Sequence, residues 1–222
     1  MNDRFTEMLG VLAHEMRTPL AAILGYQELL AEGIFGKVDE RGQEPLSRIA
    51  YSARQLLHLI DGVQEIMSPP EKRLELNEEV FDPIPVLRMC IRNAATDAHG
   101  RNVKLAEDIS LDLPAISGDP DRFCRAIDLA LAAAIKTSHG ATIAVSARAH
   151  DGVEVLIAGT ALRPGRDDPP ATHLVDGKEK LTGAGLRLAI VRHLAQQMDG
   201  DIRLLSVNGT ATLHLHVPAS DD

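Results

Sequence analysis

Residues 12–20 read LAHEMRTPL, and the organisation of the whole chain can be worked out from this stretch. It lies inside a long segment whose apolar residues recur with the period of an α-helix. When each residue is advanced by about 100°, His14 lies on the side opposite the apolar stripe. Thr18 lies one turn further along on nearly the same side, and Glu15 directly follows the histidine. We therefore expect His14 to face solvent rather than to fill a core.

Five residues of this stretch resemble the phosphoacceptor motif of two-component histidine kinases, which reads His-Glu-x-x-Thr-Pro and then an apolar residue. The matching residues are His14, Glu15, Thr18, Pro19 and Leu20. The resemblance implies that His14 accepts a phosphoryl group and that Glu15 holds the imidazole in one tautomer. Pro19 lacks a backbone donor and should loosen the helix beside the reactive turn. The alternative is an ordinary solvent-exposed histidine, which would explain His14 but not the other four matching residues.

The composition limits the possible classes of protein. The chain has 222 residues, of which 45% are hydrophobic and 3% aromatic, with no tryptophan, so its core must be aliphatic. A formal net charge of −9 disfavours binding to nucleic acid or to an anionic membrane surface. Cys90 and Cys124 have no metal-binding or redox spacing, which indicates a reducing compartment.

Hydropathy predicts a chain without membrane insertion. No apolar run approaches the roughly 20 residues that a membrane span needs, and no signal peptide precedes the first helix. We therefore expect a cytoplasmic protein. Because nothing precedes the phosphoacceptor motif in this sequence, we also expect the signal to arrive from another protein.

The first 68 residues predict a helical hairpin. Its first helix runs from about Asp3 to Glu32, a loop follows over residues 33–44, and the second helix begins near Pro45. The second helix carries an unbroken heptad series, namely Leu46, Ile49, Ala53, Leu56, Ile60, Val63 and Met67. One hairpin cannot cover two apolar stripes, so residues 1–68 are expected to form a four-helix bundle as a homodimer. Packing of the pair against its own C-terminal domain is the alternative.

Residues 69–222 predict a second domain, after a break at Ser68-Pro69-Pro70. Strands and helices alternate beyond it, with strands at 73–80, 102–108, 141–149, 153–158, 201–207 and 210–217 and helices at 84–98, 119–137 and 184–198. One sheet with helices on one face gives a two-layer α/β sandwich. This order resembles the GHKL-type (Bergerat) ATPase domain of the same histidine kinases.

The nucleotide motifs of that family match poorly at the metal position. The family has an Asn-x-x-x-Asn pair before Ala-x-Lys, and the second asparagine holds Mg²⁺. With Lys136 fixing the frame, the two asparagine positions are Leu129 and Ala133. Magnesium takes oxygen ligands, which neither side chain supplies.

The adenine motif also fails, and only the last glycine motif survives in part. The family's Asp-x-Gly-x-Gly, whose aspartate accepts the adenine amino group, reads here Ile157-Ala158-Gly159-Thr160-Ala161. Loss of that buried carboxylate is worth several kcal/mol of base recognition. The family's Gly-x-Gly-x-Gly reads Gly183-Ala184-Gly185-Leu186-Arg187, so an arginine replaces the third glycine. Gly183 and Gly185 are equally typical of an ordinary loop that leads into a helix. A vestigial nucleotide site is thus expected at Ala133, Lys136, Ile157, Gly159, Gly183, Gly185 and Arg187.

These patterns favour a dimeric histidine phosphotransferase that works without ATP. It would carry phosphoryl groups between response-regulator receiver domains through His14, and would hold no cofactor or metal, since Mg²⁺ would sit on the partner receiver. Small residues near His14 on the helical wheel would let a receiver approach, namely Gly10, Ala21, Ala22 and Gly25. Three alternatives remain: a receiver phosphatase or pseudokinase adaptor in which Thr18 orients a water, an active histidine kinase with a divergent ATP site, and a purely structural dimer.

Overall fold

The computed structural model describes residues 2–67, 77–163, 182–207 and 210–220. The chain divides into two compact units, Met1–Arg73 and Leu74–Asp222. The predicted fold class, a helical hairpin followed by an α/β sandwich, is confirmed.

The first unit is a hairpin of two long helices, α1 (Asn2–Ala31) and α2 (Glu40–Met67), which pack against each other. Gly33 follows the end of α1 in the left-handed conformation, with φ at +76°. Its N–H donates to the carbonyl of Leu30 at 3.1 Å, and the N–H of Ile34 donates to that of Leu29 at 3.0 Å. Glycine suits this position because a Cβ is disfavoured at positive φ.

Helix α2 begins five residues earlier than the sequence predicted. We took Pro45 as a first-turn residue and residues 33–44 as loop, but the helix starts at Glu40. Asp39 caps it, because its carboxylate accepts the N–H of Gly42 at 2.9 Å and its carbonyl accepts the N–H of Gln43 at 3.2 Å. An aspartate cap satisfies donors that the first turn leaves free, and Pro45 is tolerated close behind it.

In the second unit, the described residues form ten elements. They are β1 (Glu79–Phe81), α3 (Pro83–Gly100), β2 (Lys104–Ile109), β3 (Ile116–Gly118), α4 (Pro120–Thr137), β4 (Thr142–Ala149), β5 (Gly152–Thr160), α5 (Gly183–Gln196), β6 (Asp201–Val207) and β7 (Thr210–Pro218). Five strands form one sheet in the order β2-β4-β5-β7-β6, in which β2 and β4 are parallel and the other neighbours antiparallel. Strands β1 and β3 pair separately.

The core of this unit lies between one face of the sheet and its helices. Burial alternates along β4, where Ile143, Val145 and Ala147 are buried and the residues between them are more exposed. Helix α4 is buried along most of its length, from Phe123 to Ile135 with few breaks, which marks it as the central helix. It packs against both α3 and α5.

Most elements of this unit lie where the sequence placed them, with one strand missed. β3 was not predicted, because three residues ending in glycine give no measurable periodicity. The strand expected at 73–80 is seen as Glu79–Phe81, and its residues 73–76 lie outside the described part of the chain. Two further stretches lie mostly outside it: residues 161–180, where the sequence indicates a polar loop, and Asn208-Gly209, where it indicates a hairpin turn. None of the helices that the structure describes is both long and apolar enough to cross a lipid bilayer.

Candidate phosphoacceptor and nucleotide sites

His14 lies on the exposed side of α1, as the helical wheel predicted. His14, Glu15 and Thr18 are all exposed, whereas Ala13 and Leu20 are buried at 5% and 7% of their full accessible area. Helix α1 continues through Pro19 without a break, although the proline supplies no N–H to the turn that contains His14 and Glu15. The imidazole is therefore accessible and sits beside a turn with one hydrogen bond fewer. The role of Glu15 in fixing the tautomer stays a prediction.

A polar clamp that the sequence did not reveal holds the phosphoacceptor turn to α2. The guanidinium of Arg17 donates to the carboxylate of Asp61 at 2.5 and 3.2 Å, and to the amide oxygen of Gln64 at 3.0 Å. Arg17 lies within the motif, between Glu15 and Thr18, so the clamp fixes the rotation of α1 that directs His14 outward. The sequence held one indication of this contact, namely the carboxylate of Asp61, which lies between the heptad residues Ile60 and Val63.

Few side chains project from the surface around His14, as expected from its small residues. A Cβ added at Gly10 or at Gly25 would meet no atom within 4 Å, so both positions open to free space. Two large apolar side chains on the same helix are also exposed, Met8 at 57% and Val11 at 61%. A partner helix could thus approach His14 closely and bury apolar surface as it does so.

In the second unit, the structure brings the three nucleotide motifs to the same end of the domain. The hydroxyl of Ser138, just after α4, accepts the N–H of Ala161, just after β5, at 3.1 Å. Helix α5 packs along α4, and its residue Arg187 lies close enough to Lys136 for its charge to affect that lysine. The residues expected to mark a vestigial site therefore do lie in one region.

At the metal and adenine positions, the side chains belong to the hydrophobic core. Leu129 is fully buried, and Ala133 and Ile157 retain 1% and 2% of their accessible area. Gly159 has φ at +83°, which favours glycine, and a Cβ there would lie 2.4 Å from the carbonyl oxygen of Thr142. Glycine is thus required by close backbone packing at this position, while the side chains at the other three positions are apolar and buried.

The phosphate end of the site is better preserved. Thr182 caps α5 by accepting the N–H of Gly185 at 2.9 Å, and Gly183 is exposed at the first turn. A helix N-terminus preceded by such a turn is suited to an anion. The guanidinium of Arg187 folds back over this turn and donates to the carbonyl of Gly183 at 2.8 Å.

Positive charge is concentrated beside this helix terminus. The pKa of Lys136 is lowered by partial burial and by the charge of Arg187, with a smaller contribution from Arg101. Asp97 acts in the opposite direction. A lysine that lies close to other cations forms a favourable place for a polyanion, because the polyanion relieves their repulsion.

Comparison with known proteins assigns both units. The model of the His Kinase A (phospho-acceptor) domain matches residues 6–68, and the model of the histidine kinase-, DNA gyrase B- and HSP90-like ATPase matches residues 118–221. The chain belongs to the two-component histidine kinase family. Phosphoacceptor domains of this family dimerise, and its kinases pair with response regulators.

Individual relatives agree with this assignment. The chain is 28% identical to an uncharacterized sensor-like histidine kinase of Rhizobium meliloti (strain 1021), over 99% of this chain and 44% of the relative. It is 27% identical to the histidine protein kinase DivJ of Caulobacter vibrioides, over 92% of this chain and 35% of the relative. The chain thus spans less than half the length of these curated relatives.

Two solved structures are similar over nearly the whole chain. Full-length ShkA in complex with AMPPNP superposes with a TM-score of 0.60 and 25% identity, over 97% of this chain and 46% of ShkA. The Acinetobacter baumannii histidine kinase AdeS superposes with a TM-score of 0.55 and 18% identity, over 94% of this chain and 98% of AdeS. The AdeS likeness shows the shared fold.

These findings correct the expected function and the expected cofactors. A phosphotransferase that works without ATP, and the absence of ATP and Mg²⁺, were both predicted from failed motif positions. The ATPase family model nevertheless matches residues 118–221, which include every one of those positions, and ShkA is a relative solved with an ATP analogue. The prediction was wrong because it weighed single polar contacts above the pattern of the whole domain. The structure retains the phosphate end of the site while its metal and adenine positions are apolar.

Proposed function

We propose that this chain is the catalytic part of a histidine kinase with a divergent ATP site. ATP would be the phosphoryl donor and His14 the acceptor, and an aspartate of a response-regulator receiver domain would take the phosphoryl group onward. The observation that carries the proposal is the exposed His14 in a complete motif, on a chain whose second unit matches the ATPase family.

The transfer step requires a nucleophile, a proton acceptor and charge neutralisation. A neutral imidazole nitrogen of His14 attacks the γ-phosphorus, the bond from that phosphorus to the bridging oxygen breaks, and ADP leaves. Glu15 is proposed to take the proton of the other ring nitrogen. General base catalysis of this kind raises the rate of a reaction by about 10²–10⁴-fold. Thr18 is not needed for this step.

Phosphate binding is proposed to rest on residues that remain in place. The start of α5 is exposed at Gly183, whereas the N–H of Gly185 is taken by the Thr182 cap, and Lys136 and Arg187 supply positive charge. Arg187 stands where the family has a glycine. Its guanidinium would bind phosphate through charged hydrogen bonds, in place of the backbone contact that a glycine permits. Because Leu129 and Ala133 offer no oxygen, any Mg²⁺ would be held mainly by the phosphates and by water.

The hairpin is proposed to form the homodimer, with residues 1–68 as its domain and residues 69–222 as the ATPase domain. Apolar side chains on both helices are exposed in the single chain, among them Leu12 at 51%, Ile23 at 44%, Ile49 at 47% and Leu56 at 39%. Leu20, Ile23, Ile49, Ala53 and Leu56 line one apolar groove along the hairpin. A second hairpin would bury this surface, as in a four-helix bundle.

A titration with ATP and Mg²⁺ tests the nucleotide site. The wild-type chain is expected to bind ATP, and Arg187→Ala to weaken that affinity by at least about tenfold, the value of one charged hydrogen bond. Arg187→Lys should recover part of the loss, because it keeps the charge. The control is Arg203→Ala on β6, which removes an exposed arginine that pairs with Asp201. Equal affinities for wild type and Arg187→Ala would exclude Arg187 from the site.

A further inference from the structure

The interface between α3 and α4 contains a cluster of three side chains that the proposed kinase reaction does not use. Cys124 and Asp128 are four residues apart on α4 and therefore share one face of that helix. Cys90 reaches them from α3, and its Sγ lies 3.4 Å from the Sγ of Cys124. One ligand atom from each residue can be chosen so that all three lie within 4.8 Å of one another.

This cluster is largely buried between the two helices. Cys90 and Asp128 retain 0% and 3% of their accessible area, and Cys124 is half-buried. The buried neighbours in sequence, Ile91 on α3 and Ile127 on α4, are aliphatic. The carboxylate of Asp128 accepts a hydrogen bond from the thiol of Cys90, so sulfur and oxygen groups that can each bind a metal ion are already in contact.

We propose that Cys90, Cys124 and Asp128 bind a thiophilic divalent cation of the zinc class. Two sulfur ligands at about 2.3 Å from a tetrahedral ion lie about 3.8 Å apart, so the sulfurs need to separate by only about 0.4 Å from their present positions. The carboxylate oxygen supplies the third ligand, and water fills the fourth position on the half-buried side of Cys124. Two thiolates exclude Mg²⁺ and Ca²⁺, and the carboxylate disfavours Cu⁺.

Binding is balanced by the release of two protons. Zn²⁺ replaces the thiol proton of Cys90 and that of Cys124, forms two Zn–S bonds and one Zn–O bond, and leaves a net charge of −1 on the cluster. Affinity should therefore fall as the pH is lowered. The ion would join α3 to α4, the helix that carries Lys136 further along, and so stabilise the second unit.

A disulfide between Cys90 and Cys124 is the competing outcome. It would require the sulfurs to close from 3.4 Å to about 2.0 Å between two packed helices, and it needs an oxidant. The present separation is nearer to that of two zinc ligands than to that of a disulfide.

Cobalt substitution on the full chain tests the site. Chain freed of metal with a chelator under reducing conditions is titrated with Co²⁺ and then Zn²⁺. We expect one Co²⁺ per chain, a thiolate-to-metal charge-transfer band that Zn²⁺ abolishes, and a higher midpoint of thermal unfolding with Zn²⁺. Asp128→Asn should keep the band and weaken the affinity at least tenfold, and Cys90→Ala should abolish the band. The control is His214→Ala on β7, which removes an imidazole that contacts Glu154 on β5.

Two results would overturn the proposal. One is a wild-type chain that shows no charge-transfer band and no thermal shift at micromolar metal, a result that does not depend on any variant folding. The other is loss of both free thiols in air, with formation of an intramolecular disulfide and no metal uptake by the reduced chain.

Discussion

At the residue scale, the phosphoacceptor motif shows how far a single turn of helix can be understood from sequence. Helical periodicity placed His14 and Thr18 on the exposed side of α1, and the structure has both exposed, with Glu15 exposed beside them. The Arg17–Asp61 pair could not be predicted, because its two residues are 44 positions apart and meet only when α1 and α2 pack. The two side chains are partly exposed to solvent, at 44% and 30%, so the ion pair contributes little stability. Its effect is to orient α1 relative to α2.

Thr18 allows a prediction at this scale, because it shares the exposed side with His14 but is not needed for attack by the imidazole. Thr18→Ala should leave phosphorylation of His14 within about twofold of wild type. If the chain also hydrolyses the aspartyl phosphate of its receiver, the variant should reduce that rate about 10²-fold or more, since a positioned hydroxyl is lost. Release of labelled phosphate from a phosphorylated receiver measures this. Thr137→Ala, on α4, serves as the control, and a Thr18→Ala variant that stops phosphorylation of His14 would contradict the assignment.

At the scale of elements, capping residues mark the starts of three helices. Asp82-Pro83 and Asp119-Pro120 stand at the starts of α3 and α4, and both aspartates accept N–H groups of the first turn. Asp39 does the same for α2, but Pro45 was the more conspicuous signal and was wrongly taken as the start. Strand β3 was missed because its stability comes from pairing with β1, a contact between distant parts of the chain.

The two caps of the second unit should differ in strength. The carboxylate of Asp119 accepts the N–H groups of Asp121, Arg122 and Asn77, whereas that of Asp82 accepts the N–H of Ile84. Asp119→Ala should therefore lower the free energy of unfolding by about 1–2 kcal/mol, and Asp82→Ala by less than about 1 kcal/mol. Urea denaturation followed by circular dichroism gives both values. A larger loss for Asp82→Ala would mean that the cap of α4 is not the stronger one.

At the scale of the whole molecule, apolar surface and family membership both indicate a dimer. The heptad series of α2 was read from sequence, and in the single chain its residues Ile49 and Leu56 remain exposed at 47% and 39%. A monomer gains little from these side chains, whereas a second hairpin would cover them. The prediction that the chain works without ATP was wrong at this scale, because each nucleotide motif was judged separately from the domain that contains it.

Leu56→Asp should dissociate the dimer while the second unit stays folded. It places an unpaired charge in the proposed interface, which costs several kcal/mol there and little in the separate chain. Light scattering should give a dimer for wild type at micromolar concentration and a monomer for Leu56→Asp. The matched control is Leu111→Asp, at a side chain 78% exposed in the other unit. A wild-type monomer would refute the proposed dimer.

The central claim is that ATP phosphorylates His14, and labelling with γ-³²P-ATP tests it most directly. Purified chain is incubated with Mg²⁺ and labelled ATP, alongside His14→Ala and, as a control for an exposed histidine elsewhere, His150→Ala. The account predicts acid-labile, base-stable label on wild type and His150→Ala, and none on His14→Ala, whose melting temperature should match that of wild type. A folded wild-type dimer that takes up no label, or a His14→Ala variant labelled as strongly as wild type, would contradict it.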